Sequence, residues 1–334
     1  VQGMNISERL TYRRFAVSFL DQFLYGPQTA LGSGQIPGAP AGPGGGTIGL
    51  GGGYTPGQSI LTERGQRLTN SSDVETDVYL SARSSLTFVG GYSLLDSIDD
   101  VLLNYGNVIA SAGYNYQFSP DNTVGVSYQF SGFNYSNFNQ SIKNNIISVS
   151  YGRRITGRLA FQASGGPDVA FVRMPITTSG TGSPTTGSRT QVYGSFNTSL
   201  QYKAGRTSMA AAYSHGISGG SGVLPGSVTD NVTGSVNRQL SRTFNGGWTG
   251  GFSRNRGIGI DGTATVSQTY DYWFTGLNLN HPWGRSMSLF LSYQLQYQSA
   301  NTTTCTVPTP TCGASVTRNT ITFGLGWHKQ PMPF

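Results

Sequence analysis

The stretch Met287-Ser288-Leu289-Phe290-Leu291-Ser292-Tyr293-Gln294-Leu295-Gln296-Tyr297-Gln298 decides the fold. Met287, Leu289, Leu291, Tyr293, Leu295 and Tyr297 share one face, and Ser288, Ser292, Gln294, Gln296 and Gln298 share the other, with Phe290 the only intruder. A period of two places successive side chains on opposite sides of a β-strand. The polar face is uncharged: Ser, Thr, Asn, Gln and Gly take the place of Lys and Glu. Ser315–Gln330 repeats the rhythm, with Ile321, Phe323, Leu325 and Trp327 opposite Thr320, Thr322, Gly324, Gly326 and His328.

The same two faces recur upstream. Val124, Val126, Tyr128 and Phe130 oppose Thr123, Gly125, Ser127 and Gln129. Val192, Phe196, Leu200 and Tyr202 oppose Gln191, Ser195, Asn197, Ser199 and Gln201. Val228, Val232, Val236 and Leu240 oppose Thr229, Asn231, Thr233, Ser235 and Asn237. An apolar face against a neutral polar one, strand after strand, is the pattern of a wall with lipid on one side and a hydrophilic lumen on the other.

Composition agrees. Only 10% of the 334 residues are charged, against about 25% in ordinary soluble domains. The 18 Tyr and 17 Phe are too many for a disordered chain. No apolar run is long enough for a transmembrane helix. A mean hydropathy of -0.24 does not exclude a membrane, because alternating strands average to near zero. The net charge of +7 comes from scattered basic residues with no helical stripe or aromatic platform, so nucleic acid is not an expected partner. The chain opens Val1-Gln2-Gly3, which suits removal of a secretory signal or a trimmed chain.

Connections alternate in length. Short ones fall at 12–14, 81–84, 119–122, 155–158, 203–206, 241–242 and 283–285, and long ones at 26–64, 96–105, 134–140, 174–187, 216–226, 256–263 and 300–314. Short periplasmic turns alternating with long external loops define an up-and-down barrel. The expected fold is therefore all-β: one antiparallel up-and-down transmembrane β-barrel over residues 1–334. About fifteen strands can be counted. An even number follows if a strand precedes Val1, giving sixteen, the favoured count, or if residues 4 to 25 form one strand, giving fourteen.

Several stretches resemble the poorly characterised, porin-like outer-membrane β-barrel proteins of Gram-negative bacteria. They are Thr55-Pro56-Gly57-Gln58-Ser59-Ile60-Leu61-Thr62, Leu80-Ser81-Ala82-Arg83-Ser84-Ser85-Leu86-Thr87, Ser150-Tyr151-Gly152-Arg153-Arg154-Ile155-Thr156-Gly157-Arg158-Leu159 and Gly219-Gly220-Ser221-Gly222-Val223-Leu224. The resemblance covers most of the chain and implies location in the bacterial outer membrane. It also implies contact with outer-membrane lipid and lipopolysaccharide, insertion by the barrel-assembly machinery, and, for some members, polysaccharide-export partners. A homo-oligomer is a further expectation. Such barrels usually end in an aromatic residue, which Phe334 supplies; Pro331 and Pro333 interrupt that end, so Phe323, Leu325 and Trp327 are the alternative assembly signal.

Candidate functional residues are those expected to line the pore. Asp73, Glu75 and Asp77 alternate with Val74, Thr76 and Val78, which places three acids on one inner face, with Arg189 and Lys203 as facing bases. Gln191, Asn197, Gln201, Asn231, Gln294 and Gln296 are the neutral lining candidates. Gly26–Arg64 is long for a loop and rich in Pro and Gly, including Gly44, Gly45, Gly46, Gly51, Gly52 and Gly53. It reads as a constriction or lid inside the lumen, as a disordered surface loop, or as a contact surface between copies. Cys305 and Cys312 have the spacing of a short disulfide loop, which implies an oxidising compartment. Arg13, Arg14, Arg83, Arg153, Arg154, Arg158, Arg206, Arg242 and Arg285 gather at one rim, as interfacial anchors or as a ring for an acidic partner.

No catalytic, metal or cofactor constellation is expected. Ser214 and His215 are sequence neighbours on a strand and point to opposite faces, so they cannot form a dyad; His281 and His328 fall near strand ends. The expected function is passage of hydrophilic solutes across the outer membrane. The alternatives are a conduit for exported polysaccharide and a structural surface barrel that contacts its own copies.

Overall fold

The computed structural model describes residues 2–27, 66–97, 104–136, 140–176, 185–220, 224, 226–258, 268–284, 287–302 and 315–327. Their alternating patterns become fifteen strands: β1 (Gln2–Tyr12), β2 (Phe15–Pro27), β3 (Gln66–Tyr79), β4 (Ser84–Ser97), β5 (Tyr105–Ser119), β6 (Asn122–Tyr135), β7 (Gln140–Thr156), β8 (Leu159–Ile176), β9 (Thr185–Ala204), β10 (Thr207–Ser218), β11 (Ser227–Gln239), β12 (Asn245–Gly257), β13 (Gln268–Trp283), β14 (Met287–Thr302) and β15 (Val316–Trp327). Each pairs antiparallel with its neighbour in sequence, in the order β1 to β15, within a single sheet. This is the up-and-down barrel wall.

Strand count corrects one expectation. The fourteen-strand alternative needed residues 4 to 25 as one strand. Arg13 and Arg14 instead form a turn, Tyr12 pairs with Phe15, and the two rings pack at 5.2 Å across it. A sixteenth strand before Val1 lies outside the described residues, as do the glycine-rich segment from residue 28 to 65, the two cysteines, His328 and the terminal Phe334. The long connection expected at 256–263 begins where β12 ends at Gly257, and residues 259–267 lie outside the described residues.

Short turns are held by their own side chains. Thr156 Oγ1 accepts from the amides of Arg158 and Leu159 at 3.2 and 3.0 Å. Ser241 Oγ accepts from the amides of Thr243 and Phe244 at 3.2 and 3.1 Å. A hydroxyl that closes the turn replaces a missing ladder bond. Between β9 and β10 the chain turns through Gly205 at φ +52°, a left-handed conformation that glycine adopts without steric cost.

The two faces are physically distinct. Val126, Ile147, Val149, Val192, Ile321 and Phe323 are exposed on the outside, Ile321 at 74% and Phe323 at 70%. On the inside lie Thr87, Asn115, Ser150, Thr233, Ser235 and Ser253, all buried. Membrane burial offers no water to a stray donor, so polar atoms on the outer wall find partners there. Trp248 Nε1 donates to Thr275 Oγ1 at 2.9 Å, and the Tyr128 and Tyr293 hydroxyls donate to Asn145 Oδ1 at 2.6 Å and Asn319 Oδ1 at 2.9 Å.

Val126→Arg puts a charge on the lipid face and should lower stability in liposomes by about 2–4 kcal/mol. Gln129→Arg on the inner face of the same strand should cost less than half as much. Urea titration of the folded barrel in liposomes measures both, and equal losses would contradict the assignment of faces.

Candidate functional site

The inner wall is the site, and strand register fixes its lining. On β3 the inward positions are Arg67, Thr69, Ser71, Asp73, Glu75 and Asp77; β4 contributes Thr87, Gly91, Ser93, Leu95 and Ser97. Asp73, Glu75 and Asp77 therefore do share one inner face. Asp77 is 3% exposed and accepts from Thr87 Oγ1 at 2.7 Å; Asn115 Nδ2 in turn donates to Thr87 Oγ1 at 3.3 Å. Ser71 Oγ donates to Asp73 Oδ2 at 3.2 Å. The Asp77–Thr87–Asn115 bonds run across β3, β4 and β5 and hold Asp77 against the wall.

The neutral candidates also face inward but do not converge. Gln191, Asn197 and Gln201 lie along β9, Asn231 on β11, and Gln294 and Gln296 on β14. The Tyr193 hydroxyl donates to Gln191 Oε1. Arg189 and Lys203 share the inner face of β9, six strands from β3 in the order of fifteen, which puts them across the lumen from the acids. Ser214 and His215 do point to opposite faces. Ser214 faces inward between Asn197 and Asn231, while His215 faces outward, its Nδ1 2.6 Å from Asp230 Oδ1.

The external end of the lumen departs from the expected polar lining. There the inner positions of β4 to β8 are apolar: Leu95, Tyr105, Phe133, Tyr135, Ile142, Ala170, Val172 and Met174, all buried in one cluster with Ile258. Tyr105 packs edge-on to Phe133 with centroids 6.1 Å apart and against Tyr135 at 5.6 Å. Chain from beyond β10 leans onto this collar. The Tyr135 hydroxyl donates to the Gly219 carbonyl at 3.2 Å. Gly226 sits at φ +89° against Ile142, so close that a Cβ there would overlap the Ile142 Cδ1 methyl. Its carbonyl accepts from the Ile258 amide at 3.2 Å, tying the start of β11 to the end of β12. At the external ends of the strands the apolar collar thus packs against the backbone at Gly219 and Gly226.

Sequence did carry a trace of the collar. On β6 the apolar phase changes face: Val124, Val126, Tyr128 and Phe130 point out, whereas Phe133 and Tyr135 point in. On β7, Ile147 and Val149 point out and Ile142 points in. A switch of phase at the same height on neighbouring strands is the readable signal.

Below the collar lies a belt of buried polar groups. Ser93 Oγ, both side-chain atoms of Asn107 and of Asn144, both carboxylate oxygens of Asp168, Asn231 Oδ1, the Tyr272 hydroxyl and Gln296 Oε1 have no hydrogen-bond partner. Ser93 pairs across the ladder with Asn107, and Asn144 is diagonal to Asp168. On the far wall Asn231, Ser253, Tyr272 and Gln298 occupy successive strands in one row. None of Ser93, Asn107, Asn144, Asp168 or Tyr272 was singled out by the alternation alone, because a period of two assigns a face and not a height.

A wall of consecutive antiparallel strands, greasy outside and hydrophilic inside with ordered polar atoms at its edges, defines an integral β-barrel of the bacterial outer membrane. Solved structures of such barrels resemble the chain in fold. A copper transporter, OprC, aligns at 10% identity and TM-score 0.43, over 98% of this chain and 64% of that one. The FrpB iron transporter of Neisseria meningitidis aligns at 8% and 0.48, over 94% and 55%. OmpT, an outer membrane protein of Vibrio cholerae, aligns at 10% and 0.39, over 96% and 99%. The chain thus spans little more than half to two-thirds of the two transporters' length. No protein-family profile matches the chain and no curated sequence matches it. The membrane assignment rests on the two-faced wall itself.

Replacing Tyr135 by Ser together with Ile142 by Ser should loosen the collar and raise solute entry in liposome-swelling assays severalfold. An unchanged rate from correctly folded protein would show that the collar does not limit passage.

Proposed function

We propose that the barrel is a passage for hydrophilic solutes across the outer membrane. One observation carries this reading: the belt of inward amides, hydroxyls and carboxylate oxygens that meet no protein partner. A buried polar atom left unpaired costs about 1–3 kcal/mol. Repeating that around a wall is tolerable where water or a passing solute completes the bonds. A lumen filled only by packed side chains would instead satisfy its polar groups internally.

The acids of β3 give the passage a sign. Asp73, Glu75 and Asp77 stand on one side, with Arg189 and Lys203 opposite. A transverse field of this kind biases which ions and solutes cross. The apolar collar sets the narrowest part at the external end.

A specific observation favours a second reading, a conduit for a neutral polymer such as polysaccharide. Tyr270, Tyr272 and Phe274 face inward on β13 beside Gln294, Gln296 and Gln298 on β14, and the Tyr272 and Phe274 rings lie nearly parallel with centroids 5.7 Å apart. Aromatic faces alternating with amides suit a sugar chain that slides without tight binding.

Planar bilayers test the first reading. Purified barrel should conduct with a linear current–voltage relation, and Glu75→Gln with Asp77→Asn should lower its cation-over-anion preference about twofold. An insulating barrel would remove the proposal, and an unchanged reversal potential would remove the role of the acids. Under the second reading the barrel stays closed at rest, and deletion of its gene abolishes a surface polymer.

A further inference from the structure

The outer wall carries a charged feature that solute passage does not use. On β7 and β8 the outward positions run up from the hydrocarbon band as Val149, Ile147, Asn145 and Lys143, and as Val169, Phe171 and Arg173. Lys143 pairs with Phe171 and Ser141 with Arg173, so the two cations are diagonal neighbours on one face. That geometry separates their Cα atoms by about 7–8 Å. Both side chains are exposed, and among the described residues neither has an ion-pair partner. They stand one step above Phe171 and above the Tyr128–Asn145 hydrogen bond, where the apolar wall gives way to the polar interface on the external side.

The contrast with the other side of the barrel is informative. Near the external ends of β11 to β13 the outward arginines Arg254 and Arg256 are paired with carboxylates. Arg254 makes a bidentate pair with Asp271 at 2.7 and 2.9 Å, and Arg256 Nη2 and His215 Nδ1 share Asp230 at 2.7 and 2.6 Å. Lys143 and Arg173 therefore form the local excess of positive charge on this stretch of wall.

A binding crevice adjoins them. A cleft of about 850 Å³ opens at the external ends of β4 to β8, and its lining includes Tyr92, Asp96, Asn104, Asn134, Gln140 and Arg173. Tyr92 is half exposed on the outer face, and the one acid, Asp96, lies on β4 while Arg173 lies on β8. The amides of Asn104 and Asn134 and the carboxylate of Asp96 are groups that take up sugar hydroxyls, and two adjacent cations take up a phosphate.

We propose that Lys143, Arg173 and the adjoining crevice form a site on the outer wall for the phosphorylated sugar headgroup of an outer-leaflet glycolipid. Phosphate is held by the cation pair, the sugar lies toward Asn134, whose row runs through Ser141 to Arg173, and the acyl chains descend over Phe171 and Val169. Free inorganic phosphate offers the same anion without the sugar or the chains, and the geometry favours the lipid because the cations border the hydrocarbon band. The site rests on the membrane wall and not on solute passage.

The test uses the full chain folded in detergent micelles, with bis-phosphorylated lipid A, dephosphorylated lipid A and inorganic phosphate as probes and retained lipid read by native mass spectrometry. Wild type should retain the phosphorylated form, and Lys143→Gln with Arg173→Gln should weaken retention about thirtyfold, from the contribution of two basic side chains at an anionic lipid surface. Arg238→Gln with Arg242→Gln at the opposite rim should leave retention unchanged, and Lys143→Arg with Arg173→Lys should restore it. Equal retention of phosphorylated and dephosphorylated lipid by wild type, or equal retention by wild type and the double Gln variant, would overturn the proposal. So would displacement of the lipid by an equal concentration of inorganic phosphate. If the Gln variant fails to fold, the salt dependence of wild type decides: preference for the phosphorylated form should vanish near 1 M salt, where screening falls to about 3 Å.

Discussion

Hydrocarbon cannot accept a hydrogen bond, and that constraint shapes every strand of this chain. Each backbone N–H and C=O must find its partner on the neighbouring strand, which leaves a continuous ladder as the only extended structure that can cross. The observed order, β1 to β15 without a crossover, pairs each strand with its neighbours in sequence. Side chains obey the same rule: Trp248, Tyr128 and Tyr293 turn their polar atoms along the wall to Thr275, Asn145 and Asn319 and present only ring surface to lipid.

Inside, the rule relaxes, and the structure uses that freedom in two opposite ways. Near the middle of the wall polar atoms are left without protein partners, as at Asn107, Asn144 and Asp168. At the external end the same strands turn Leu95, Phe133, Ile142 and Val172 inward and pack them. One wall is thus polar along part of its height and apolar at one level. The collar is held by apolar contacts, the Tyr135–Gly219 hydrogen bond and the close seat of Gly226 against Ile142, and no ion pair among the described residues bridges it.

Much of this was legible in the chain. Alternation at Met287–Gln298 and Val124–Phe130 assigned the faces correctly, and the alternating lengths of the connections located nearly every hairpin, because both signals are local. The acids Asp73, Glu75 and Asp77 were placed on one inner face for the same reason. What escaped was height and neighbourhood. Whether Asp168 lies in a polar belt depends on its ladder neighbours Ile146 and Tyr193, and the diagonal placement of Lys143 and Arg173 depends on the register between β7 and β8. The collar lay between these cases: its residues show a change of phase, but only register reveals that the changes occur side by side.

The strands are of unequal length. β8 and β9 have 18 and 20 residues, whereas β10 has 12. At the rise and tilt of a barrel strand, the longer ladder stands roughly 20 Å taller. The described strands therefore end at different levels, a step that divides the external edge of the wall into a high flank and a low one.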